Sequence, residues 1–375
     1  MKILKMFAAI FLVVWYFPGC FTAASEQVAK NIEYQNERME YLKSEYYISY
    51  TPCDESRFAS FDIEEAYEKG VKYNEVQFLA THNSYQISST EEYKKFFKAL
   101  SDLTFGLVKK ETAEFNMDTL TEQLELGIRG LEIDIETVDE DGNVSFIVAH
   151  NPVMDNTSSC YNFEKALEEI KMWSDNNPGH LPVTVIIEPK KGVVPVNDMK
   201  NYSLKYAVTT DELIRKVMGD TLLTPADMMG DYANFKEMRE NDGWLTLEET
   251  AGKILFLLHD TTVTSDYINQ DKSIKSQAMF PMLRYADRNK EYASFIIDNK
   301  PSQALSHEEE SIDKCNLIVR IRPDSFPDFS DEKYEKANLC KAQIVSTDFP
   351  PTMGESKYHA YSFDGYTVML QQNLK

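Results

Sequence analysis

Amide and acidic side chains lie beside apolar runs in a pattern that could bind a hard cation. Asn83 follows the run Val76–Thr81, and Glu132 and Asp134 alternate with apolar residues within Gly130–Glu136. Acids on one face of a buried strand cannot all stay ionised without a counter-charge. A ligand set made only of oxygen atoms favours Ca²⁺, with Mg²⁺ less favoured. The sequence therefore predicts a Ca²⁺ site with the ligands Asn83, Glu132, Asp134 and Glu188.

Two histidines end predicted strands and could perform acid–base chemistry. His82 follows the first apolar run, and His150 ends the run Ser145–His150. Imidazole groups titrate near neutral pH, so one could accept a proton while the other donates one. His259 also ends an apolar run, but no acid or amide motif of a neighbouring strand matches it, and we expect a structural role for it.

Basic side chains at the ends of later strands could neutralise an anionic substrate. Lys190 follows Glu188, and Arg320 and Arg322 are two residues apart, so both would lie on one strand face. An alternative is that the acids and the cations only form ion pairs within the fold, with Arg129 or Lys190 as the partner of Glu132 and Asp134.

The elements that would position these residues predict an α/β fold, a TIM (β/α)8 barrel that is possibly irregular. Helical patterns separate most of the predicted strands, and no Gly-rich phosphate fingerprint supports the alternative of a doubly wound sheet. Polar residues at the carboxyl ends of barrel strands face one rim, where the candidates above would converge. The predicted strands are Val76–Thr81, Gly130–Glu136, Ser145–His150, Val183–Glu188, Ile254–His259, Ala293–Ile297, Leu317–Ile321 and Gln343–Thr347.

Composition along the chain predicts four segments. Residues 1–24 read as a signal peptide, with lipid attachment at Cys20 as a minor alternative, so we expect a secreted, extracellular or periplasmic protein. Residues 25–72 are expected to form an N-terminal helical extension, residues 73–352 the barrel, and residues 353–375 a C-terminal closing segment. The long stretch 191–253 is expected to be an elaborated loop on the active-site rim.

Charge and cysteine content restrict the possible partners. The formal net charge of −22 argues against nucleic acid and allows at most transient contact with an anionic membrane surface. Four cysteines follow the leader, and in an oxidising compartment Cys315 and Cys340 are the preferred disulfide pair. No zinc-type Cys/His spacing is present. We expect a monomer.

Several short motifs resemble those of the calcium-dependent, phosphatidylinositol-specific phospholipase C-like phosphodiesterases. They appear in the family's order over most of residues 73–352. The motifs are Thr81-His82-Asn83-Ser84-Tyr85, Gly127 to Asp134, His150-Asn151-Pro152, Ile187-Glu188-Pro189-Lys190 and Gln343 to Pro350.

The resemblance implies a TIM-barrel phosphodiesterase that cleaves phosphatidylinositol or related inositol phosphodiesters by intramolecular attack of the inositol 2-hydroxyl. It implies Asn83, Glu132, Asp134 and Glu188 as Ca²⁺ ligands, and His82 and His150 as the catalytic pair. It further implies that Lys190 and an arginine of the seventh strand contact phosphate or headgroup. The chain departs from the family's frequent Arg-Thr-Arg at Arg320-Ile321-Arg322, which keeps both arginines.

Two other functions remain open from the sequence. One is a glycerophosphodiester phosphodiesterase-like or sphingomyelinase D-like enzyme, since such barrels also use two histidines and acids on similar strands. The other is a catalytically inactive, Ca²⁺-dependent protein that binds phospholipid headgroups. A cyclic inositol phosphate product would distinguish the predicted phospholipase C-like enzyme from both.

Overall fold

The computed structural model describes residues 19–371 apart from residues 105, 107–108, 151–155, 191–197, 260 and 354–359. Most of the predicted signal peptide therefore lies outside the described residues. Among the described residues, no helix combines the length and apolar character needed to cross a bilayer.

Strands and helices alternate along most of the chain. The strands are β1 Val76–Thr81, β2 Gly130–Glu140, β3 Asn143–Val148, β4 Val183–Pro189, β5 Met199–Lys200, β6 Ile254–Leu258, β7 Met279–Arg284, β8 Phe295–Ile297, β9 Ile318–Ile321, β10 Ile344–Thr347 and β11 Val368–Leu370. The α-helices are α1 Gly19–Ser44, α2 Ile63–Glu68, α3 Glu91–Leu103, α4 Leu120–Glu125, α5 Phe163–Asn176, α6 Leu204–Met218, α7 Pro225–Met229, α8 Phe235–Glu240, α9 Thr264–Gln270, α10 Pro301–Glu308 and α11 Asp331–Leu339. A π-helix, Glu309–Lys314, continues α10.

Eight parallel strands close into a barrel, which confirms the predicted TIM-barrel fold. Around the wall, β1 is followed by β10, β9, β8, β7, β6, β4 and β2, and β2 returns to β1. The central strands are buried on both faces, as their nearly continuous apolar sequences require. The carboxyl ends of all eight strands consequently meet at one end of the barrel.

The barrel wall differs from the prediction at two strands. The predicted barrel strand Ser145–His150 is wrong, because β3 pairs antiparallel with β2 and forms a hairpin that extends from the wall. The wall strand that the sequence did not reveal is β7, which contains Pro281. Proline normally argues against a central strand because it cannot donate to the ladder.

The seam between β1 and β2 is narrow because Gly130 faces Ala80. These two residues form the only pairing between β1 and β2, and a Cβ on Gly130 would lie 2.3 Å from the Ala80 Cβ. On the amino-terminal side of that contact, β11 pairs antiparallel with β1, and Val368 also bridges to Ala59. The last strand of the chain therefore fills the gap that the divergence of β1 and β2 would leave.

The described part of the stretch 191–253 lies mostly away from the active-site rim, so its predicted position was wrong. Its first strand, β5, pairs with β2 near the rim. Helix α6 then packs beside α5, and the chain continues at the amino ends of the strands, where Leu222 bridges to Ile254 and Lys72 to Thr246. The buried apolar residues of α6, α7 and α8 explain this course, because they join the barrel's outer core.

The predicted Cys315–Cys340 disulfide is also wrong. Cys53, Cys160, Cys315 and Cys340 are free thiols. Cys315 is partly exposed and its thiol donates to Asn289 Oδ1 at 3.4 Å, whereas Cys340 is buried at the end of α11. Burial raises the pKa of the Cys340 thiol to about 12, so this cysteine is protonated and unreactive at neutral pH.

Candidate active site

A pocket of about 390 Å³ opens at the carboxyl ends of the barrel strands. It contains residues from almost every part of the wall, as the topology requires. Its lining includes His82, Asn83, Gln86, Phe115, Glu132, His150, Glu188, Lys190, His259, Asn299, Arg320, Arg322, Ser325, Phe326 and Asp348. A larger open cleft of about 680 Å³ lies near the amino end of β6, but no histidine is among its lining residues.

Three carboxylates from two adjacent strands form a compact cluster beside this pocket. In the β2–β4 register Asp134 is opposite Glu188, and Glu132 precedes Asp134 on the same face. One oxygen from each of the three lies within 4.8 Å of the others. Lys190 Nζ bonds Asp134 Oδ2 at 2.9 Å and Glu188 Oε1 at 2.8 Å. Burial and the neighbouring acids raise the pKa of Asp134, although Lys190 opposes this shift.

Two buried oxygens at this cluster have no hydrogen-bond partner, and these are Asn83 Oδ1 and Asp134 Oδ1. Asn83 adopts a left-handed backbone conformation with φ of 49°, as asparagine tolerates well, and lines the pocket with Glu132 and Glu188. Leaving buried acceptors unsatisfied costs free energy unless another group binds them. The donor set consists of carboxylates and one amide oxygen, so these residues fit a Ca²⁺ ion.

Neighbouring side chains hold the acids in place. Tyr85 donates its hydroxyl hydrogen to Asp134 Oδ2 at 2.7 Å, and Ser84 Oγ accepts the Glu132 amide at 2.8 Å. Arg320 Nη2 donates to Glu132 Oε2 at 2.5 Å, and its Nη1 donates to the Asn299 side chain. Burial acts against ionisation of Glu132, but the positive charges around it, that of Arg320 foremost, together lower the pKa of that carboxyl.

His82 is held between an acid and a cation. Its Nδ1 lies 2.7 Å from Asp348 Oδ1, and its Nε2 lies 2.9 Å from Arg322 Nη1. Burial opposes ionisation of Asp348, but His82 and Arg322 lower the pKa of that carboxyl, so it accepts a hydrogen bond. A guanidinium only donates. These partners assign the tautomer with the proton on Nδ1 and the lone pair on Nε2.

The charge environment of the two histidines differs. Burial alone would lower the pKa of His82, but the charges of Asp348 and Glu132 outweigh it and raise that pKa. His150 lines the pocket and its residue surface is exposed, whereas the imidazole is partly desolvated and lies in the field of the Lys190 charge. These two effects lower the pKa of His150 to about 4.

The structure brings the site residues predicted from the sequence to one pocket or to its carboxylate cluster. Arg320 and Arg322 differ, since the Arg320 side chain is 2% exposed behind Glu132 whereas that of Arg322 is 24% exposed. Of the alternative ion pairs, Lys190 does bond Asp134, but Arg129 bonds Glu55 instead.

Three residues that line the pocket were not placed in the site by the sequence analysis. Asp348 directly follows the predicted strand Gln343–Thr347, so the rule applied to the other strand ends would have found it. Asn299 similarly follows β8. His259, for which a structural role was expected, lines the pocket.

Comparison with known proteins gives a family and several solved structures. The family described as phosphoinositide phospholipase C, Ca²⁺-dependent, matches residues 142–375. A calcium-dependent phosphoinositol-specific phospholipase C from a Gram-negative Pseudomonas sp. is 20% identical, with a TM-score of 0.55 over 80% of this chain and 95% of that chain. A myoinositol complex of that enzyme gives 19% identity and a TM-score of 0.56 over 86% of this chain and 100% of that chain.

A Ca²⁺-dependent phosphatidylinositol-specific phospholipase C from Streptomyces antibioticus is 19% identical, with a TM-score of 0.51 over 74% of this chain and 95% of that chain. At these identities the structural likeness concerns the barrel fold. No protein of curated function matches the chain.

Proposed function

Since the chain belongs to the Ca²⁺-dependent phosphoinositide phospholipase C family, we propose that it is a secreted phosphodiesterase that cleaves phosphatidylinositol-type or related inositol phosphodiesters. In the proposed reaction the inositol 2-hydroxyl attacks the phosphorus, and the alcohol on the other side of the phosphate leaves. The products are a cyclic inositol phosphate and that alcohol.

One observation carries the proposal. The unpartnered oxygens Asn83 Oδ1 and Asp134 Oδ1 belong to the same carboxylate-rich site as the His82–Asp348 pair. A site for a hard cation beside a positioned imidazole is a combination well suited to phosphodiester cleavage. Asn83, Glu132, Asp134 and Glu188 would hold Ca²⁺, which supplies positive charge to a phosphate oxygen and lowers the pKa of a nearby hydroxyl when bound.

His82 is the proposed base. Its ring lines the pocket with Nε2 as the unprotonated nitrogen, and the Asp348 carboxylate would stabilise the imidazolium that forms when the proton of the attacking hydroxyl arrives. Arg322 Nη1 contacts this nitrogen and its side chain is partly exposed, so a substrate phosphate could take over the guanidinium hydrogen bond.

His150 is the proposed acid that protonates the leaving oxygen. Its low pKa favours the neutral ring, but the negative charge of a bound phosphodiester would raise that pKa. Lys190 is proposed to contact the phosphate or headgroup, as is Arg322. Arg320 is proposed to position Glu132, because its guanidinium is already bound to Glu132, Asn299 and Ser346.

The decisive experiment is a product assay on the purified protein with phosphatidylinositol in mixed micelles and with glycerophosphoinositol. We expect a Ca²⁺-dependent cyclic inositol phosphate that disappears with a chelator and returns when Ca²⁺ is restored. Release of non-cyclic inositol phosphate or free inositol as the first product would instead support the glycerophosphodiesterase-like alternative. Normal Ca²⁺ binding without turnover of either ester would support the inactive binding protein.

A further inference from the structure

Helix α1 carries a row of buried amide side chains that the proposed chemistry does not use. Gln27, Asn31 and Gln35 are spaced four residues apart and therefore share one face of the helix. Asn31 and Gln35 are each only 1% exposed. Buried amides cost free energy unless they form hydrogen bonds, so the partners of this row indicate its role.

The amides bind the backbone of the segment that follows the β3 strand. Asn31 Nδ2 donates to the Asn156 carbonyl at 2.6 Å, and Gln27 Nε2 donates to Asn31 Oδ1 at 2.7 Å. Gln35 binds both backbone groups of one residue, since its Nε2 donates to the Asn162 carbonyl at 3.0 Å and its Oε1 accepts the Asn162 amide at 2.7 Å. The side-chain amides of α1 thus satisfy backbone groups of this segment, as the backbone of a neighbouring strand would.

The residues that α1 binds belong to the loop that carries His150: Asn156 lies within the loop and Asn162 at its base. The loop leaves β3 at Val148, whose amide donates to the Tyr161 carbonyl at 2.7 Å, so the chain returns directly beside its departure point. Gln35 binds the next residue, Asn162, and Asn31 binds Asn156 within the loop.

The same loop also reaches the carboxylate cluster. Ser159 donates its amide to the Tyr85 carbonyl at 2.8 Å and its hydroxyl to the same carbonyl at 3.1 Å. Tyr85 is fully buried and donates to Asp134 Oδ2. Hydrogen bonds, joined by the short stretch of backbone from Asn156 to Asn162, therefore connect the amides of α1 to Tyr85 and to a proposed Ca²⁺ ligand.

We infer that α1 is a positioning element of the active site, in which Asn31 and Gln35 fix the His150 loop and, through Ser159 and Tyr85, the orientation of Asp134. The helix thereby places one proposed acid and one proposed ligand without touching substrate. The catalytic part of this inference rests on the proposed function, whereas the structural part is independent of it.

The test uses variants of the full chain that remove the hydrogen bonds and keep the side-chain volume. Asn31→Leu and Gln35→Met do this singly and together. Asn36→Leu is the matched control, because Asn36 is exposed on the same helix and its side chain accepts a hydrogen bond from Lys165, which lies outside the loop. Hydrogen exchange followed by mass spectrometry reports on the loop, on the segment around Tyr85 and, as an internal reference, on β8 and β9.

We expect exchange in residues 156–162 to accelerate at least about tenfold in the double variant, because three hydrogen bonds to α1 are lost. The acceleration should extend to the segment around Tyr85 and should leave β8 and β9 unchanged. On a soluble inositol phosphodiester, kcat should fall about tenfold with KM within about twofold, since misplacement of the acid affects the transition state more than binding. The control should match wild type in each measurement.

The inference is overturned if exchange stays at the wild-type rate, if the acceleration remains confined to the loop, or if kcat is unchanged while the loop loosens. If the double variant fails to fold, the Asn31→Leu variant, which loses one bond to the loop, is judged by the same criteria. A wild-type protein that turns over no inositol ester would contradict the proposed function, and the exchange pattern would still decide whether α1 positions Tyr85.

Discussion

The two ends of the barrel both bury charge, but they satisfy it differently. At the amino end, the fully buried Arg129 forms an ion pair with Glu55, and its Nη1 donates to the Leu124 and Ile128 carbonyls at 2.8 Å each. The guanidinium also lies 4.9 Å from the Trp173 ring. The charges of Arg129 and Glu55 are therefore satisfied without a ligand.

At the carboxyl end, the cluster of Glu132, Asp134 and Glu188 is only partly neutralised by Lys190 and Arg320. Two buried oxygens there remain without a partner. Complete pairing indicates a structural role, whereas incomplete pairing of strand-end charges indicates a place for a ligand. Substitutions at the active end should therefore affect activity and metal binding, and those at the opposite end should affect stability.

The largest expected effect is on turnover in His82→Ala and His150→Ala. Each should lower kcat by about 100-fold to 10,000-fold, because each removes a proposed proton-transfer group. The midpoint of thermal unfolding should change little. Steady-state rates on a soluble inositol phosphodiester and circular dichroism measure the two quantities. Near-wild-type turnover in either variant would contradict the two-histidine proposal.

At the opposite end, Glu55→Ala should lower the free energy of unfolding by about 3 to 5 kcal/mol, because it leaves the buried Arg129 without its counter-charge. Turnover per folded molecule should remain at the wild-type value. Urea denaturation measures the loss, and Glu64→Ala, which removes an exposed carboxylate, is the control. Equal stability of the two variants would show that the amino-end pair is not needed for folding.

A pH effect should also come from the amino end, at His180. This ring is buried between Ser174 and the Leu181 carbonyl, and burial lowers its pKa from 6.5 to about 4. The unfolded state therefore binds the proton more readily between these values, so stability falls as pH drops from about 6.5 to about 4, by up to about 3 kcal/mol. His180→Asn, which keeps a donor for Leu181, should flatten this dependence in urea titrations at pH 5 and pH 7.5. A parallel dependence in the variant would assign the acid sensitivity to other groups.

A smaller effect should follow Ca²⁺ removal. Ca²⁺ at 100 times its dissociation constant should stabilise the wild-type protein by about 2.7 kcal/mol. Asp134→Asn should lose most of this gain, because it removes charge from the carboxylate cluster. Thermal unfolding with Ca²⁺ or chelator measures both, and Mg²⁺ should stabilise less. No difference between Ca²⁺ and chelator in the wild-type protein would argue against the proposed ligands.

The sequence predicted the barrel because strand-like and helical periods alternate over most of the chain. It nevertheless included one strand that does not belong to the wall and omitted one that does. Ser145–His150 has the apolar character of a wall strand, but its register with β2 is antiparallel and only the tertiary structure reveals this. The strand β7 was hidden by Pro281. The free Cys315 likewise could not be inferred from spacing, since distance in the folded chain decides disulfide formation.

The site was more predictable than the wall, because strand-end position alone gathers its residues. His150 reached the pocket although its strand assignment was wrong, since the β2–β3 hairpin extends past the same rim. The hydrogen-bond partners of Tyr85 and Arg320 could not be named from the sequence, because each contact joins distant segments: Tyr85 with Asp134, and Arg320 with Glu132.

The pairing of β11 with β1 has a consequence for the order of biosynthesis. Residues near position 370 complete a wall that residues near position 76 begin. During vectorial synthesis nearly 300 further residues must follow the first wall strand before this edge is covered. Until then the backbone donors and acceptors at Val76–Phe78 are open to other chains, so a chain that ends before residue 368 should bind a chaperone more strongly than the chain that includes β11.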